Sequence, residues 1–445
     1  MSPLIRTLLL ALTLALLAIG FPAVQAQSGE RLTYPSGKGP LSRDFLGIHF
    51  HRLLLAPGEK AIPTAWPPLG FGLLRLWDSR TRWADIEPRK GDWQFGRLDL
   101  YVNEAWSQGT RVLYTLGSTP AWASARPGEP CSYGHGCAAE PRSLADWEDY
   151  VRTVARRYRG RICCYEVWNE PDFSGPPKPP RVHGGFYTGT VETLVEMTRI
   201  AREVLQAEDP EALLLSPGFV NGVHNRLAPW LAAGGGQHID AVAYHFYAWQ
   251  DERRMQREIQ TVREVMRQHG IAHLPLWSTE AGVEVYPDNE PLPPGIGRRI
   301  NRQDAAAMLA RQIVLAAFAG LDRYIYYAWD NDLSGMVDRA GQAHPARDAI
   351  LLTMRWLDGL QPKHCSSGPG RPTVCWGERE GLPVAIAWNP HPGPRLQLPL
   401  PQGLHPVNWQ SAVTRWPEQT DERPTLPLTV GPNPTLISFE RTTTP

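Results

Sequence analysis

No surplus of charge marks this chain of 445 residues: Lys+Arg and Asp+Glu both number 45, so the formal net charge is zero. A sequence-independent hold on nucleic acid or on an anionic membrane needs a basic stripe. None is present, so no nucleic-acid partner is expected. No apolar run reaches the roughly 20 residues that cross a bilayer comfortably. Cysteines are few, six in all, and they form no repeated C-x-x-C pair of the kind that holds a structural zinc. No metal and no cofactor is predicted. There is no low-complexity tract. The 43 Pro are scattered among apolar stretches rather than clustered, which excludes wholesale disorder.

What is present starts with an N-terminal leader. Arg6 gives a positive start, residues 8–19 are apolar except for Thr13, Gly20 and Pro22 end the run, and Val24-Gln25-Ala26 offers small residues for cleavage. This is the pattern of a secretory signal over residues 1–26. A periplasmic or secreted protein is expected, with membrane association only through an uncleaved leader. No cysteine follows, so lipoprotein processing is not indicated. Export permits disulfides. Cys131 with Cys137 and Cys365 with Cys375 bracket short flexible loops and are plausible local bridges, although sequence alone fixes no connectivity. Cys163-Cys164 heads an apolar strand and is expected as buried thiols.

Between the leader and residue 361, strands alternate with helices. Strands are read at 45–50, 73–77, 112–116, 164–168, 213–215, 239–246, 274–279 and 324–329. Helices are read at 97–108, 143–158, 191–207, 253–269, 303–319 and 346–360, several with apolar residues at helical spacing. Eight strands, mostly each followed by a helix, predict an α/β fold of the (β/α)8 barrel class over 27–361. A doubly wound sheet is the rival, but it opens with a glycine-rich phosphate loop, and His49-Phe50-His51-Arg52 stands there instead. After residue 361 the helix signal stops. Short strands at 374–376, 384–388, 396–400, 407–409 and 435–439, split by Pro and Gly, predict a small all-β, sandwich-like domain over 362–445.

Barrel enzymes place their chemistry at the carboxyl ends of the strands. Strand two ends Arg75-Leu76-Trp77-Asp78, strand four ends Trp168-Asn169-Glu170-Pro171 and strand six ends Tyr244-His245-Phe246-Tyr247. Strand seven ends Thr279-Glu280-Ala281-Gly282, and strand eight ends Tyr327-Ala328-Trp329-Asp330. Strands four and seven lie nearly opposite in a closed barrel, so Glu170 and Glu280 can face each other. Two carboxylates across a pocket can split a glycosidic bond, one giving a proton to the leaving oxygen and the other meeting the charge at the anomeric carbon. A single Glu at a strand end is more often a rim charge or an ion-pair member; two, on these strands, reverse that reading. The chain also holds 17 Trp and 14 Tyr, whose flat rings suit cores and stack on sugars. Trp77, Trp122, Trp168, Trp249 and Trp329 are the candidate platforms, with Trp122 and Trp329 preferred because they lie at or beyond strand ends.

These residues carry a resemblance. Glu166-Val167-Trp168-Asn169-Glu170-Pro171-Asp172 resembles the acid/base signature of the large retaining glycoside hydrolase clan built on (β/α)8 barrels, and Leu116-Gly117-Ser118-Thr119-Pro120 with Ala123-Ser124 is similar to the segment after strand three in glycoside hydrolase family 39. That family includes β-xylosidases, α-L-iduronidases and bacterial endoglycosidases of biofilm exopolysaccharide. The resemblance implies that Glu170 is the general acid/base, Glu280 the nucleophile, Asn169 the holder of the sugar 2-hydroxyl and Tyr247 a hydrogen-bond donor to the nucleophile. His245 would sit near the acid/base, and Arg75 would keep Glu280 ionised; the ordinary role for Arg75 is a buried partner for Glu166, two positions below Glu170 on the same strand face, and both roles are compatible. Ala281-Gly282 departs from the family, which often has Trp or Phe shortly after the Glu.

The reading is thus a retaining glycosidase acting on a polysaccharide substrate, expected as a monomer. Endo cleavage of a secreted matrix polysaccharide is favoured and an exo-acting β-xylosidase type is the alternative. The zero net charge favours a neutral glycan, and the segments 174–185 and 288–297 are placed to wall a groove. Two other classes compete. A non-catalytic carbohydrate-binding protein has no need of two facing acids. A metal-dependent barrel hydrolase would use His49, His51, His245 and Asp330, but strand five supplies no histidine at its end, so the ligand set is incomplete. The ordinary role for His49 or His51 is to bind sugar hydroxyls.

Overall fold

The computed structural model describes residues 31–67, 70–173, 186–248, 251–292, 297–389, 396–398, 404–412 and 429–441. Eight parallel strands form a closed barrel: β1 (Leu46–Ile48), β2 (Leu73–Leu76), β3 (Arg111–Leu116), β4 (Ile162–Val167), β5 (Leu213–Leu215), β6 (Val242–His245), β7 (Leu276–Ala281) and β8 (Arg323–Tyr326). β8 pairs with β1. The ring closes between β5 and β6 through the bridge of Leu215 to Ala241, and the short strand Phe219–Val220 carries the fifth position onward beside β6. The barrel expectation is met, and the doubly wound rival is excluded by that closure.

Side-chain alternation sorts each strand into two environments. Leu73, Leu113, Cys164, Leu215, Ala241, Ala243, Trp277 and Ile325 cluster together as a plug, while Leu74, Leu76, Val112, Tyr114, Tyr165 and Val167 belong to the larger core under the helices. The helices α1 (Gly96–Ser107), α2 (Leu144–Arg157), α3 (Val191–Glu208), α4 (Glu252–Gln268), α5 (Arg302–Phe318) and α6 (Pro345–Leu357) bury one stripe each, with one exception. α2 is typical: Trp147, Tyr150, Val151, Val154 and Ala155 are buried at the spacing of one helix face. Thr190, Asp251 and Asn301 cap the starts of α3, α4 and α5 by accepting backbone N–H bonds. The exception is α5, buried on every side from Ala305 to Phe318. No helix among the described residues is long and apolar enough to cross a membrane.

α5 is covered because it lies between the barrel and a second sheet. That antiparallel sheet runs Arg31–Thr33, β9 (Gln361–Gly368), β10 (Arg371–Arg379), β11 (Leu382–Trp388), β13 (Thr435–Arg441), β12 (Leu404–Ser411). One face, with Cys375, Val384, Ile386, Trp388 and Leu436, joins the barrel core. The other face, with Ala385, Ala387, Ile437 and Phe439, is covered by a ribbon of Leu396–Gln397 and Thr429–Val430 through Leu398 and Val430. This sheet resumes after the barrel at Gln361 and takes its edge strand from before the barrel, which sequence reading did not foresee. β9 also went unread, because Gln361-Pro362-Lys363-His364 carries no apolar alternation.

Disulfides join Cys131 to Cys137, Cys365 to Cys375 across the β9–β10 pair, and Cys163 to Cys164. The last replaces the buried thiols expected there. The ladder between β3 and β4 slips at this point: Val112 faces Ile162 and Leu113 faces Cys164, leaving Cys163 as the extra residue of a bulge. Alternation would send neighbouring side chains to opposite faces, and the bulge breaks it.

Candidate active site

Alternation puts Arg75 above Leu73 on β2, and Glu166 above Cys164 on β4, both inside the barrel and both fully buried. By the same rule Glu280 ought to point outward, because Trp277 already faces in. A bulge on β7 corrects this. Tyr244 pairs with Ser278 but His245 pairs with Glu280, and the ladder to β8 skips from Ser278 to Ala281. Thr279 is the extra residue, and Glu280 turns into the barrel mouth. β4 ends equally abruptly: Trp168, Glu170 and Phe173 adopt left-handed backbone angles of +72°, +46° and +51°. Such conformations gather at functional sites, where the surroundings enforce them.

Arg75 is the hub. Its Nε and Nη2 donate to Glu166 Oε2 at 2.8 and 2.5 Å, Nη2 also to Asn169 Oδ1 at 2.7 Å, and Nη1 to Glu280 Oε2 at 2.9 Å. Both roles weighed for Arg75 therefore coexist. Thr115 Oγ1 donates to Glu166 Oε2 at 2.8 Å. The Tyr247 hydroxyl donates to Glu280 Oε1 at 2.7 Å. His245 Nδ1 and Glu170 Oε1 share a hydrogen bond of 2.7 Å. One oxygen of Glu170, one of Glu280 and a ring nitrogen of His245 all lie within 4.8 Å of one another. The two acids separated by 110 positions in the chain thus meet across the barrel.

Burial dominates the electrostatics. It pushes the Glu170 carboxyl from 4.5 up to about 7, against the downward pull of Arg75 and Arg226 and with help from Asp78 and Glu166. Burial also raises Glu280, with His245, Arg75 and Tyr247 opposing and Glu170 reinforcing. The resemblance implied a lowered Glu280. The difference arises because burial, reinforced by Glu170, outweighs the downward pull of His245, Arg75 and Tyr247. His245 falls from 6.5 to about 4, first through burial, and is neutral near pH 7. Its Nε2 lies 3.4 Å from Arg75 Nη2, and a proton there would face a cation. The ring proton therefore sits on Nδ1, which donates to Glu170 Oε1 and leaves Oε2 to hold the transferable proton.

The ring of polar groups leaves no room beneath it. A β-carbon at Gly218 would stand 2.6 Å from His245 Nε2 and 2.8 Å from Glu166 Oε1. Both side chains are tied to Arg75 and cannot retreat. Gly218→Ala is expected to lower the melting temperature by about 3–8 °C through overpacking and to cut activity by displacing His245. Gly96→Ala, which adds a methyl in open space, serves as the control in thermal melts and rate assays. Gly282 has a similar constraint, since a β-carbon would meet the Tyr327 carbonyl at 2.5 Å. That close approach of the Tyr327 backbone leaves position 282 no room for a side chain.

The other candidates divide. His51 lines the mouth beside Asp78 and Tyr327. His49 is buried, its Nε2 at 3.3 Å from the Thr279 carbonyl at the bulge, and burial holds it well below the usual histidine range. It supports the bulge rather than offering a ligand to the cleft. Trp122 packs edge-on against Trp83 and donates to the Glu87 carbonyl. Trp329 is 3% exposed against Phe50 and Phe71. Both were expected as stacking platforms; Trp329 has no open face, and Trp122 is committed to a core contact. Trp77 and Trp168 are also buried, and Trp249 lies outside the described residues, as does 174–185. The metal-hydrolase set is not assembled: the Asp330 carboxylate accepts bonds from the His51 and Arg52 amides and from Thr64, latching two loops. Sequence reading missed Asp78, Tyr133 and Tyr327, which converge at the mouth. Asp78 and Tyr327 stand at strand ends, which was a usable signal; Tyr133 lies in the Cys131–Cys137 loop and gave none.

No protein-family model matches the chain. Solved structures share its fold along nearly their whole length. A glucosidase from Croceicoccus marinus superposes with TM-score 0.60 and 15% identity, over 91% of this chain and 97% of that one. A GH39 β-xylosidase from Caulobacter crescentus gives 0.58 and 16%, over 92% and 99%. A GH39 enzyme from Xanthomonas axonopodis pv. citri gives 0.59 and 14%, over 91% and 96%. The chain therefore has the fold of these structures: a (β/α)8 barrel carrying a β domain.

Proposed function

We propose that the protein is a retaining glycoside hydrolase that cleaves a polysaccharide by double displacement. The observation that carries this is the meeting of Glu170 and Glu280, with carboxylate oxygens within 4.8 Å. Retaining enzymes hold their two carboxyl groups about 5–5.5 Å apart, and inverting ones need room for an intervening water at about 6.5–9.5 Å. The glycosidase names of the fold neighbours support the same reading.

Glu280, ionised and aligned by Arg75 and Tyr247, attacks the anomeric carbon. Glu170 gives its proton to the leaving oxygen, and a covalent glycosyl-enzyme forms. Glu170, now charged, takes a proton from water, whose oxygen attacks the anomeric carbon and frees Glu280. His245 keeps Glu170 in place through both steps by donating to Oε1. Asn169, held by Arg75, is placed for the hydroxyl next to the anomeric carbon.

The proton on Glu170 sets the pH response. It is present below about 7 and lost above, so kcat/KM falls as pH rises through that value. Glu280 must be ionised, and its raised carboxyl makes the acid limb lie above the ordinary carboxylate range. Glu170→Gln is expected to remove the basic limb and cost about 10²–10⁴ in rate on poor leaving groups, with much less loss of the first step on activated aryl glycosides. pH–rate profiles on both substrate types test this; an unchanged basic limb in the variant contradicts the assignment.

For substrate, the export leader and the family resemblance favour endo cleavage of a neutral secreted matrix polysaccharide, with the protein in the periplasm or outside the cell. The fold neighbours named β-xylosidase favour exo action on xylosides as the second reading. Sizing the first products from a panel of glycans separates them: early long fragments support endo action, and monosaccharide alone supports exo action.

A further inference from the structure

A polar cavity of about 560 Å³ is lined by His51, Asp78, Arg82, Asp85, Tyr133 and Tyr327. The Tyr133 hydroxyl donates to Asp78 Oδ1 at 2.7 Å and the Tyr327 hydroxyl to Oδ2 at 2.6 Å. Trp77 Nε1 donates to the Tyr133 oxygen at 2.8 Å, which orients the phenolic proton toward Asp78. Tyr327 is held edge-on by His49 and His51, each with ring centre 5.0 Å away. Two arginines line the same cavity. Arg82 donates to Asp85 through Nε and Nη2 and lies 3.8 Å from the centre of the Tyr133 ring. Arg80 is exposed at the rim. Among the described residues Asp78 makes no direct ion pair, although its charge acts on nearby Arg82; two phenols hold its oxygens, with one lone pair on each still open.

We propose that Asp78 is the specificity-determining residue of the glycone subsite, where its carboxylate accepts hydroxyl groups of a neutral sugar, and that the disulfide-closed Cys131–Cys137 loop completes the subsite by delivering Tyr133. This rests on the glycosidase reading and names its substrate class. The placement suits it: Glu280 acts electrostatically on both Tyr133 and Tyr327, and Asp78 acts on Glu170, so the cavity adjoins the acids. A fixed carboxylate with open lone pairs binds O–H donors and repels a sugar carboxylate. The loop is a short hairpin, Pro130–Cys131 with Gly134–His135, turning at Ser132 and Tyr133. The Cys131–Cys137 disulfide closes the base of that turn, and the bonds of Tyr133 to Asp78 and Trp77 dock its tip.

The test measures binding to Glu280→Gln protein, by calorimetry, of neutral tri- to pentasaccharides of xylose, glucose and mannose, and of matched oligouronides. At least one neutral series should bind at least about 10-fold tighter than the uronides. Adding Asp78→Asn should weaken neutral binding about 10- to 100-fold and erase that preference. Tyr133→Phe, and separately Cys131→Ser with Cys137→Ser, should weaken it by a smaller factor in the same direction, with melting temperature recorded for each. Unchanged affinity in both Asp78→Asn and Tyr133→Phe overturns the proposal, as does tighter uronide binding or no binding of any series. Asp78-dependent binding without Glu280-dependent hydrolysis in the wild-type protein overturns the glycosidase reading instead and leaves the subsite standing.

Discussion

Glu280→Gln is expected to lower kcat/KM by about four orders of magnitude or more, as removal of a covalent nucleophile does elsewhere, with little change in melting temperature. The amide is the same size; its oxygen still accepts from Arg75, and its NH2 donates to the Tyr247 oxygen in place of the bond that the carboxylate accepted. What it cannot do is bond to the anomeric carbon. The measurement pairs initial rates with intact-mass analysis. In Glu170→Gln protein, which lacks the base for the second step, an activated aryl glycoside should leave a mass increment of one glycosyl unit, located by peptide mapping on Glu280. In the Glu280→Gln, Glu170→Gln double variant that increment should vanish. An increment on any other residue would remove Glu280 from the mechanism.

Arg75→Met is expected to damage folding as well as rate. One guanidinium neutralises and orients two buried acids, Glu166 and Glu280, and also fixes Asn169. Its removal leaves both carboxylates buried without their cation, a change that typically costs about 3–5 kcal/mol and here a melting-temperature loss of about 6–20 °C. Arg75→Lys distinguishes charge from geometry. A single ammonium keeps the charge but cannot donate in a planar fork to three partners. Lys should therefore recover much of the stability and little of the activity, with the acid limb of the rate profile moved upward as Glu280 loses its aligned donor. Full recovery of activity by Lys would reduce Arg75 to a structural counter-ion.

The parts of this site that follow strand periodicity were legible without coordinates. Arg75 and Glu166 share the inward parity of their strands, and Asn169-Glu170 stands where a fourth barrel strand must end. Parity alone, however, sends Glu280 outward; the bulge at Thr279 reverses it, and a one-residue insertion in a ladder leaves no mark in hydropathy. The same holds for Cys163-Cys164, where another bulge brings adjacent sulfurs together. Trp329 was misjudged because position at a strand end does not say which way a ring turns. Trp329 follows the last barrel strand yet packs on Phe71 and Phe50. Tyr133 was invisible for a different reason: it reaches Asp78 through a loop whose course depends on a covalent closure, with no repeat to read. The direction of the Glu280 shift was missed because burial, which a pairing of charges along the sequence does not reveal, outweighs the pull of Arg75.

The helix buried on every side has a last implication. Sequence texture draws a border at residue 361, but α5 belongs equally to both sides of it, and the sheet beyond that border begins with a strand taken from ahead of the barrel. Chain entry and chain exit are thereby stitched together around one shared element. The β domain thus shares its core with the barrel through α5, and the two are expected to melt in a single transition, whatever substrate this cleft accepts.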